Sequence, residues 1–314
     1  MEDRLDFRPR SFAVVGAGPV GCIVAAFLAK GGYEVTLCDV FPELLKPSLS
    51  PGILIEGAEH LQQAVTRTCT SVDDLAEYLP DVIFLTVKAN ALPLISSAIE
   101  GFYREGLHII SWQNGIDTEA VIAQTLGAKP VMRAVVNYGC TLVKPGHVHM
   151  PFHHPPHLLQ ELDPASTEEA QAVAKILTAC GLHTSHSNNI HSMVWRKAIL
   201  NSSMNPVCAV TGLTMAQAMN DPIVLQIVES LLKECIAVAR ANEIELGWNY
   251  YPQAIEYMRK ARDHKPSMLI DIENRRRTEI DFMNGKIVEY GRQAGVEVPY
   301  NRTLWALVKA LEPK

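Results

Sequence analysis

Between an apolar run, SFAVV at 11–15, and an apolar helical stretch, CIVAAFLAK at 22–30, the chain carries Gly16-Ala17-Gly18-Pro19-Val20-Gly21. A G-x-G-x-x-G turn in this setting asks the first glycine to turn tightly. The second lets the backbone approach a pyrophosphate, and the third lets helix and strand pack closely. The helix N-terminus beyond it offers unpaired N–H groups to an anion. Gly31 and Gly32 close the helix and YEVTLCD follows as a second strand, so the chain opens as a βαβ unit. Gly16, Ala17, Gly18, Pro19, Val20 and Gly21 are therefore candidate dinucleotide-binding residues, with an incidental glycine turn as the alternative.

Asp39 ends the second strand, 23 residues after Gly16. A carboxylate there can accept hydrogen bonds from the adenosine ribose and repels a 2′-phosphate, which favours NAD. The competing reading is a strand-terminal Asp that makes a turn. Further strand-like runs, DVIFLTV at 81–87 and HIISW at 108–112, alternate with helical stretches such as ALPLISSAIEGFY. That alternation implies a parallel sheet covered on both faces. Lys88 and Asn114 each follow one of these runs and are expected at the carboxyl edge of the sheet, where ligands bind; a surface lysine and a turn Asn-Gly are the alternatives.

After about residue 188 strand-like runs give way to helical periodicity. The expected architecture is α/β, a Rossmann-type doubly wound parallel-sheet domain over 1–188 followed by an all-α helical domain over 189–314. Asp221 and Pro222 are an N-cap and first-position proline for a helix of roughly 20 residues with Ile223, Ile227, Leu231 and Cys235 on one face. Gly295 ends one helix, and Pro299 with Asn301 begins another carrying Leu304, Leu307, Val308 and Leu311.

Lys197, Asn201 and Asn205 in WRKAILNSSMNP recur every four residues, which places them on one helix face, with Pro206 expected to kink the helix at Asn205. Asparagines are poor choices for a helix interior unless their side chains are used. A third polar cluster, PSMLIDIENRRRTEID at 266–281, contains Ser267, Asp271 and Glu279 and is expected to start a helix. Its Arg275, Arg276 and Arg277 would fan about the helix and read as a solvated surface rather than a phosphate site.

The formal net charge of -6 gives no basic footprint for nucleic acid or anionic membranes. The seven cysteines are scattered, odd in number and free of C-x-x-C, which suits a reducing compartment. The charged start MEDRLDFRPR does not read as a secretory signal, and no apolar run reaches the length of a membrane span. A cytoplasmic location is expected. The segment HVHMPFHHPPH, with His147, His149, His153, His154 and His157, reads as a solvated loop rather than a metal site, because prolines interrupt any regular ligand face. No metal is expected.

Together these residues resemble the ketopantoate reductase family, 2-dehydropantoate 2-reductases of pantothenate biosynthesis. The resemblance runs from Gly16 to the final helix, and its most specific parts are W-x-K-x-x-x-N-x-x-x-N-P at 195–206 and S-M-L-x-D-I…T-E-I-D-x-x-N-G at 267–285. It implies that Lys197 is the catalytic proton donor to a keto oxygen and that Asn201, Asn205 and Ser267 bind substrate. It also implies that Asn114 touches both ligands, and that Lys88 and Glu279 face the cofactor. Two departures stand out. Family habit is NADPH with a basic or neutral residue after the second strand, whereas Asp39, Val40 and Phe41 stand here; Met215 lies where relatives can offer another polar contact.

The expected activity is NAD(P)H-dependent reduction of a small branched 2-oxo acid, 2-dehydropantoate to pantoate, with NADH preferred from Asp39 and NADPH from family habit. Other readings are a reductase of another 2-oxo acid, a 3-hydroxyacid dehydrogenase, or a dinucleotide-sensing protein without turnover. The hydroxyacid enzymes carry a G-x-x-G turn before the lysine, and Ile190 to Trp195 contains no glycine. The expected partner is a small molecule, with no nucleic acid and no membrane. The long apolar helices could pack within one chain or between two, which leaves a homodimer open.

Overall fold

A computed structural model of the chain describes residues 7–260 and 263–314, so most of the charged N-terminal stretch weighed as a secretory signal lies outside the described residues. The chain divides into two units. One runs to Gln113 and resumes at Asp117–Ile190; the other joins Asn114–Ile116 to His191–Lys314.

The first unit is built on strands β1 (Ser11–Val15), β2 (Glu34–Cys38), β3 (Ile53–Gly57), β4 (Leu61–Gln63), β5 (Arg67–Cys69) and β6 (Val82–Leu85). It continues through β7 (His108–Ser111), β8 (Val131–Val135), β9 (Tyr138–Lys144), β10 (His147–His153), β11 (His157–Glu161) and β12 (Thr184–His186). Its helices are α1 (Pro19–Lys30), α2 (Pro42–Leu49), α3 (Leu75–Tyr78), α4 (Leu92–Glu100), α5 (Thr118–Leu126) and α6 (Thr167–Cys180).

Eight strands form the main sheet in the order β12-β11-β8-β7-β6-β1-β2-β5. From β5 to β8 every pairing is parallel, which is the doubly wound dinucleotide order with its switch point between β1 and β6. Val, Ile and Phe run through β1, β6 and β7 because these strands are buried on both faces. Phe12, Phe27, Phe84 and Trp112 anchor the core beneath α1.

The stretch from 131 to 186 holds more strand than the apolar runs suggest. β11 lies antiparallel to β8 and parallel to β12, and a second sheet, β4-β3-β10-β9, packs from residues that alternate polar and apolar. The histidine-rich segment expected as a solvated loop is β10, a bend and the start of β11. In β10, Val148 and Met150 are buried between outward-facing neighbours. His147 and His153 pair with Glu56 and Glu59 at 2.6 and 2.9 Å, and His157 is fully buried. The prolines tolerate this because the strand pairing shifts register between His149 and Phe152.

The second unit contains only helices and turns among its described residues: α7 (Ile190–Thr211), α8 (Met215–Asn220), α9 (Pro222–Ala241), α10 (Tyr250–Arg259), α11 (Ser267–Glu273), α12 (Asn284–Ala294) and α13 (Pro299–Leu311). Asp221 caps α9 by accepting from the Ile223 and Val224 N–H groups at 2.9 and 3.0 Å. The apolar face of α9 begins at Val228 and includes Leu231 and Cys235, whereas Ile223 in the first turn is 73% exposed. Leu304 and Val308 are the buried pair of α13, and Leu307 and Leu311 face out. Arg275, Arg276 and Arg277 are exposed as expected, but in the turn after α11, where Arg275 takes a left-handed φ of 53°, and not on a helix.

A buried polar tie holds the helices together. Asn284 Nδ2 donates to Ser202 O on α7 and to Asn301 Oδ1 on α13, both at 2.9 Å. Asn301 Nδ2 in turn donates to Glu234 Oε2 on α9 at 2.8 Å. Both asparagines are fully buried, and each polar contact crosses between helices rather than within one.

Candidate active site

The glycine turn sits at the carboxyl end of β1 and runs into α1, whose first helical residue is Pro19. Gly16 has φ 111°, and a Cβ on it would meet Thr86 Oγ1 at 2.9 Å. A Cβ on Gly21 would lie 1.8 Å from Gly16 O, so helix and strand touch there through bare backbone. Above Gly18 the space is open, as a cradle for pyrophosphate requires. Thr86, which sequence reasoning passed over inside the run VIFLTV, donates to Val15 O and Gly16 O at 3.0 Å and fixes the turn from β6.

Beneath the turn, burial pushes the Cys22 thiol up to about 12, reinforced by the Asp39 carboxylate, so Cys22 is a packing group that stays protonated. Asp39 performs the turn-making task that its competing reading named: Oδ2 accepts from Ala17 N at 2.7 Å and Oδ1 from Phe41 N at 3.0 Å. A carboxylate carries about four acceptor sites, so these two bonds leave capacity for ribose hydroxyls. Lys88 follows β6 and precedes α4, partly exposed, at the same sheet edge.

In the second unit, α7 is positioned by the residues flanking Lys197. Trp195 is fully buried and its Nε1 donates to His191 Nε2 at 3.2 Å. Arg196 donates to Leu246 O and lies over the Tyr250 ring at 4.8 Å. With those two side chains committed, Lys197 and Asn201 share a partly exposed face one turn apart, and Asn205, one turn on, is buried. The helix runs through Pro206 to Thr211, so the proline expected to kink it at Asn205 does not end it. Burial on both sides of Pro206 keeps that turn helical against the local preference.

Asn114 is partly exposed, and the two residues after it pack on the segment that follows Glu279. Ile116 N donates to Phe282 O at 2.8 Å, and a Cβ on Gly115 would meet Phe282 Cβ at 2.7 Å. Glu279 itself is buried, next to Thr278, whose N–H and hydroxyl both donate to Glu312. Ser267 opens α11 and is exposed; Met215 opens α8 and is half-buried.

A parallel sheet in this order, with a glycine turn at its switch point and a carboxylate ending the next strand, defines a dinucleotide-binding α/β fold joined to a helical unit. The model of the family described as ketopantoate reductase PanE/ApbA matches residues 12–157, and that of its C-terminal part matches 189–312. The 2-dehydropantoate 2-reductase of Pyrococcus horikoshii is 32% identical over 300 residues, covering 95% of this chain and 96% of its own. A solved PanE/ApbA family ketopantoate reductase from Ralstonia eutropha is 27% identical with a TM-score of 0.84, covering 96% and 97% of the two chains. D-mandelate dehydrogenase, solved with NADH and anilino(oxo)acetate, is equally similar at 27% with a TM-score of 0.85 over 96% and 97%. The chain belongs to the ketopantoate reductase family and is an NAD(P)-dependent oxidoreductase acting on a CH–OH group. Among its described residues no helix is long and apolar enough to cross a membrane.

Proposed function

We propose that the protein reduces 2-dehydropantoate to pantoate with Lys197 as the proton donor. The reduced nicotinamide, when bound, supplies the hydride. Lys197 stabilises the negative charge that grows on the keto oxygen and delivers the proton there, so the carbonyl π bond and one Lys197 N–H bond break as the O–H bond forms, while the supplied hydride brings the electron pair of the new C–H bond. Asn201, Asn205 and Ser267 hold the substrate, Asn114 contacts substrate and cofactor, and Lys88 and Glu279 serve the cofactor side. The observation that carries this reading is the face of α7, where Lys197 and Asn201 stay partly exposed while Trp195, Ala198 and Ile199 between and before them are buried.

Asp39 selects NADH. Its carboxylate, held by Ala17 and Phe41, would bring like charge against a 2′-phosphate. The similarity to D-mandelate dehydrogenase, solved with NADH and an oxo-acid ligand, supports both this preference and a second reading in which another 2-oxo acid is the substrate. A panel of 2-oxo acids assayed with NADH and NADPH by loss of nicotinamide absorbance decides. Highest kcat/KM with 2-dehydropantoate supports the first reading, highest kcat/KM with another oxo acid the second, and binding without turnover refutes both.

A further inference from the structure

Strand β8, VMRAV, is buried at every position, yet its centre is Arg133, which is 2% exposed. A buried guanidinium is costly unless its N–H groups find acceptors, so the groups that accept from it show what the charge does. Nη1 donates to Ser111 Oγ at 2.9 Å and to Thr118 Oγ1, and Nε lies 3.3 Å from Glu119 Oε2. Ser111 is the last residue of β7 and Thr118 the first of α5, and their hydroxyls are 2.7 Å apart. Arg133 therefore clamps both ends of the loop 112–117.

That loop has reason to need a clamp. Gly115 has φ 107° and Asp117, a residue with a side chain, φ 62°, a left-handed conformation that costs energy and persists only where its surroundings enforce it. A guanidinium only donates, which leaves the Ser111 hydrogen to be passed on, and it goes to Gln113 Oε1 at 2.8 Å. Gln113 is buried, and its Nε2 has no partner among the described residues. The next residue is Asn114.

We propose that Arg133 is a positioning residue for ligand binding: held on Ser111, Thr118 and Glu119, it fixes the 112–117 loop and so sets the Asn114 carboxamide toward the ligands. This rests on the reading that Asn114 contacts substrate and cofactor. A strand arginine serving only stability would instead affect unfolding and leave ligand constants alone.

The test is a double-mutant cycle on the full-length protein with Arg133→Met, Asn114→Ala and both, reading nicotinamide Kd, KM for the best oxo acid, kcat and Tm. Arg133→Met should weaken nicotinamide Kd and oxo-acid KM roughly tenfold, as expected for ligand hydrogen bonds lost through misplacement, with a smaller change in kcat. In the Asn114→Ala background it should add no more than about twofold, because the two residues act as one unit. Arg133→Lys, which keeps a charged donor for Ser111, should recover part of the loss. If Arg133→Met does not fold, Ser111→Ala takes its place with the same expected outcome. Parental Kd and KM in Arg133→Met or Ser111→Ala while Asn114→Ala is impaired would overturn the proposal and leave the role of Asn114 standing. Effects that multiply in the double variant would overturn it as well. Parental constants in Asn114→Ala would remove Asn114 from the site and overturn both.

Discussion

Asp39 Oδ2 accepts the Ala17 N–H at 2.7 Å, so the carboxylate that follows β2 is bonded to the backbone of the glycine turn. One side chain thus shapes the turn and, on the proposed reading, sets the charge beside the adenosine ribose. The parent should have the higher kcat/KM with NADH. Asp39→Asn keeps an oxygen for Ala17 while removing the charge, and should shift the NADPH-to-NADH ratio of kcat/KM by roughly tenfold toward NADPH, about 1.4 kcal/mol. A parent that prefers NADPH, or an unchanged ratio in the variant, would show that Asp39 does not select the cofactor.

Gly21→Ala should abolish nicotinamide binding, because its Cβ would stand 1.8 Å from Gly16 O and drive α1 away from the turn. Gly18→Ala, whose Cβ meets nothing within 4 Å, should fold normally and weaken binding only by crowding the ligand. Titration of both variants with NADH, alongside thermal unfolding, separates the two effects. Equal loss of stability in both would contradict the different roles given to the glycines.

Asn201→Leu removes a carboxamide that donates and accepts at once and puts an apolar group of similar size in its place. KM for the oxo acid should rise roughly tenfold, with kcat lower and nicotinamide Kd near the parental value. Steady-state kinetics identical to the parent's would take Asn201 out of the site.

Acid should weaken the junction of β1 and β6 through Asp81. Burial raises its carboxyl pKa, but N–H bonds from Arg10 and Ser11, together with Arg104 and the Ser11 hydroxyl, outweigh this and hold it below the ordinary range. A depressed carboxyl contributes its stability above the unfolded pKa and loses it as pH falls through the folded value. The Tm gap between the parent and Asp81→Asn should therefore narrow as pH drops below about 4. A gap independent of pH would mean that the charge of Asp81 adds nothing to stability.

Much of this was legible in the residues themselves. The glycine turn, the strands around it and the capped helix after Asp221 announce themselves because each is decided by local chemistry: φ above zero, β-branched runs, an acceptor for orphan N–H groups. The second sheet was not legible. Its strands around the histidines mix prolines with alternating polarity, and β10 is a strand only because the neighbouring β9 and the distant β3 supply partners on its two edges. That α7 continues past Pro206 is decided the same way, since tertiary burial outweighs the local preference of Asn205. Among the candidate residues, the four-residue spacing of Lys197 and Asn201 could be read directly. Arg133 and Asn284 had only faint signals, a charge inside an apolar strand and an Asn-Gly pair, because their meaning lies in contacts to Ser111, Thr118, Ser202 and Asn301 that no spacing encodes.

The central claim is that Lys197 donates the proton in reduction of a 2-oxo acid, and Lys197→Ala tests it most directly. Its kcat for oxidation of reduced nicotinamide in the presence of 2-dehydropantoate, measured beside nicotinamide Kd by fluorescence, should fall by about 10²–10⁴, the range for a positioned general acid, with Kd close to parental. Near-parental kcat with normal nicotinamide binding would contradict the assignment.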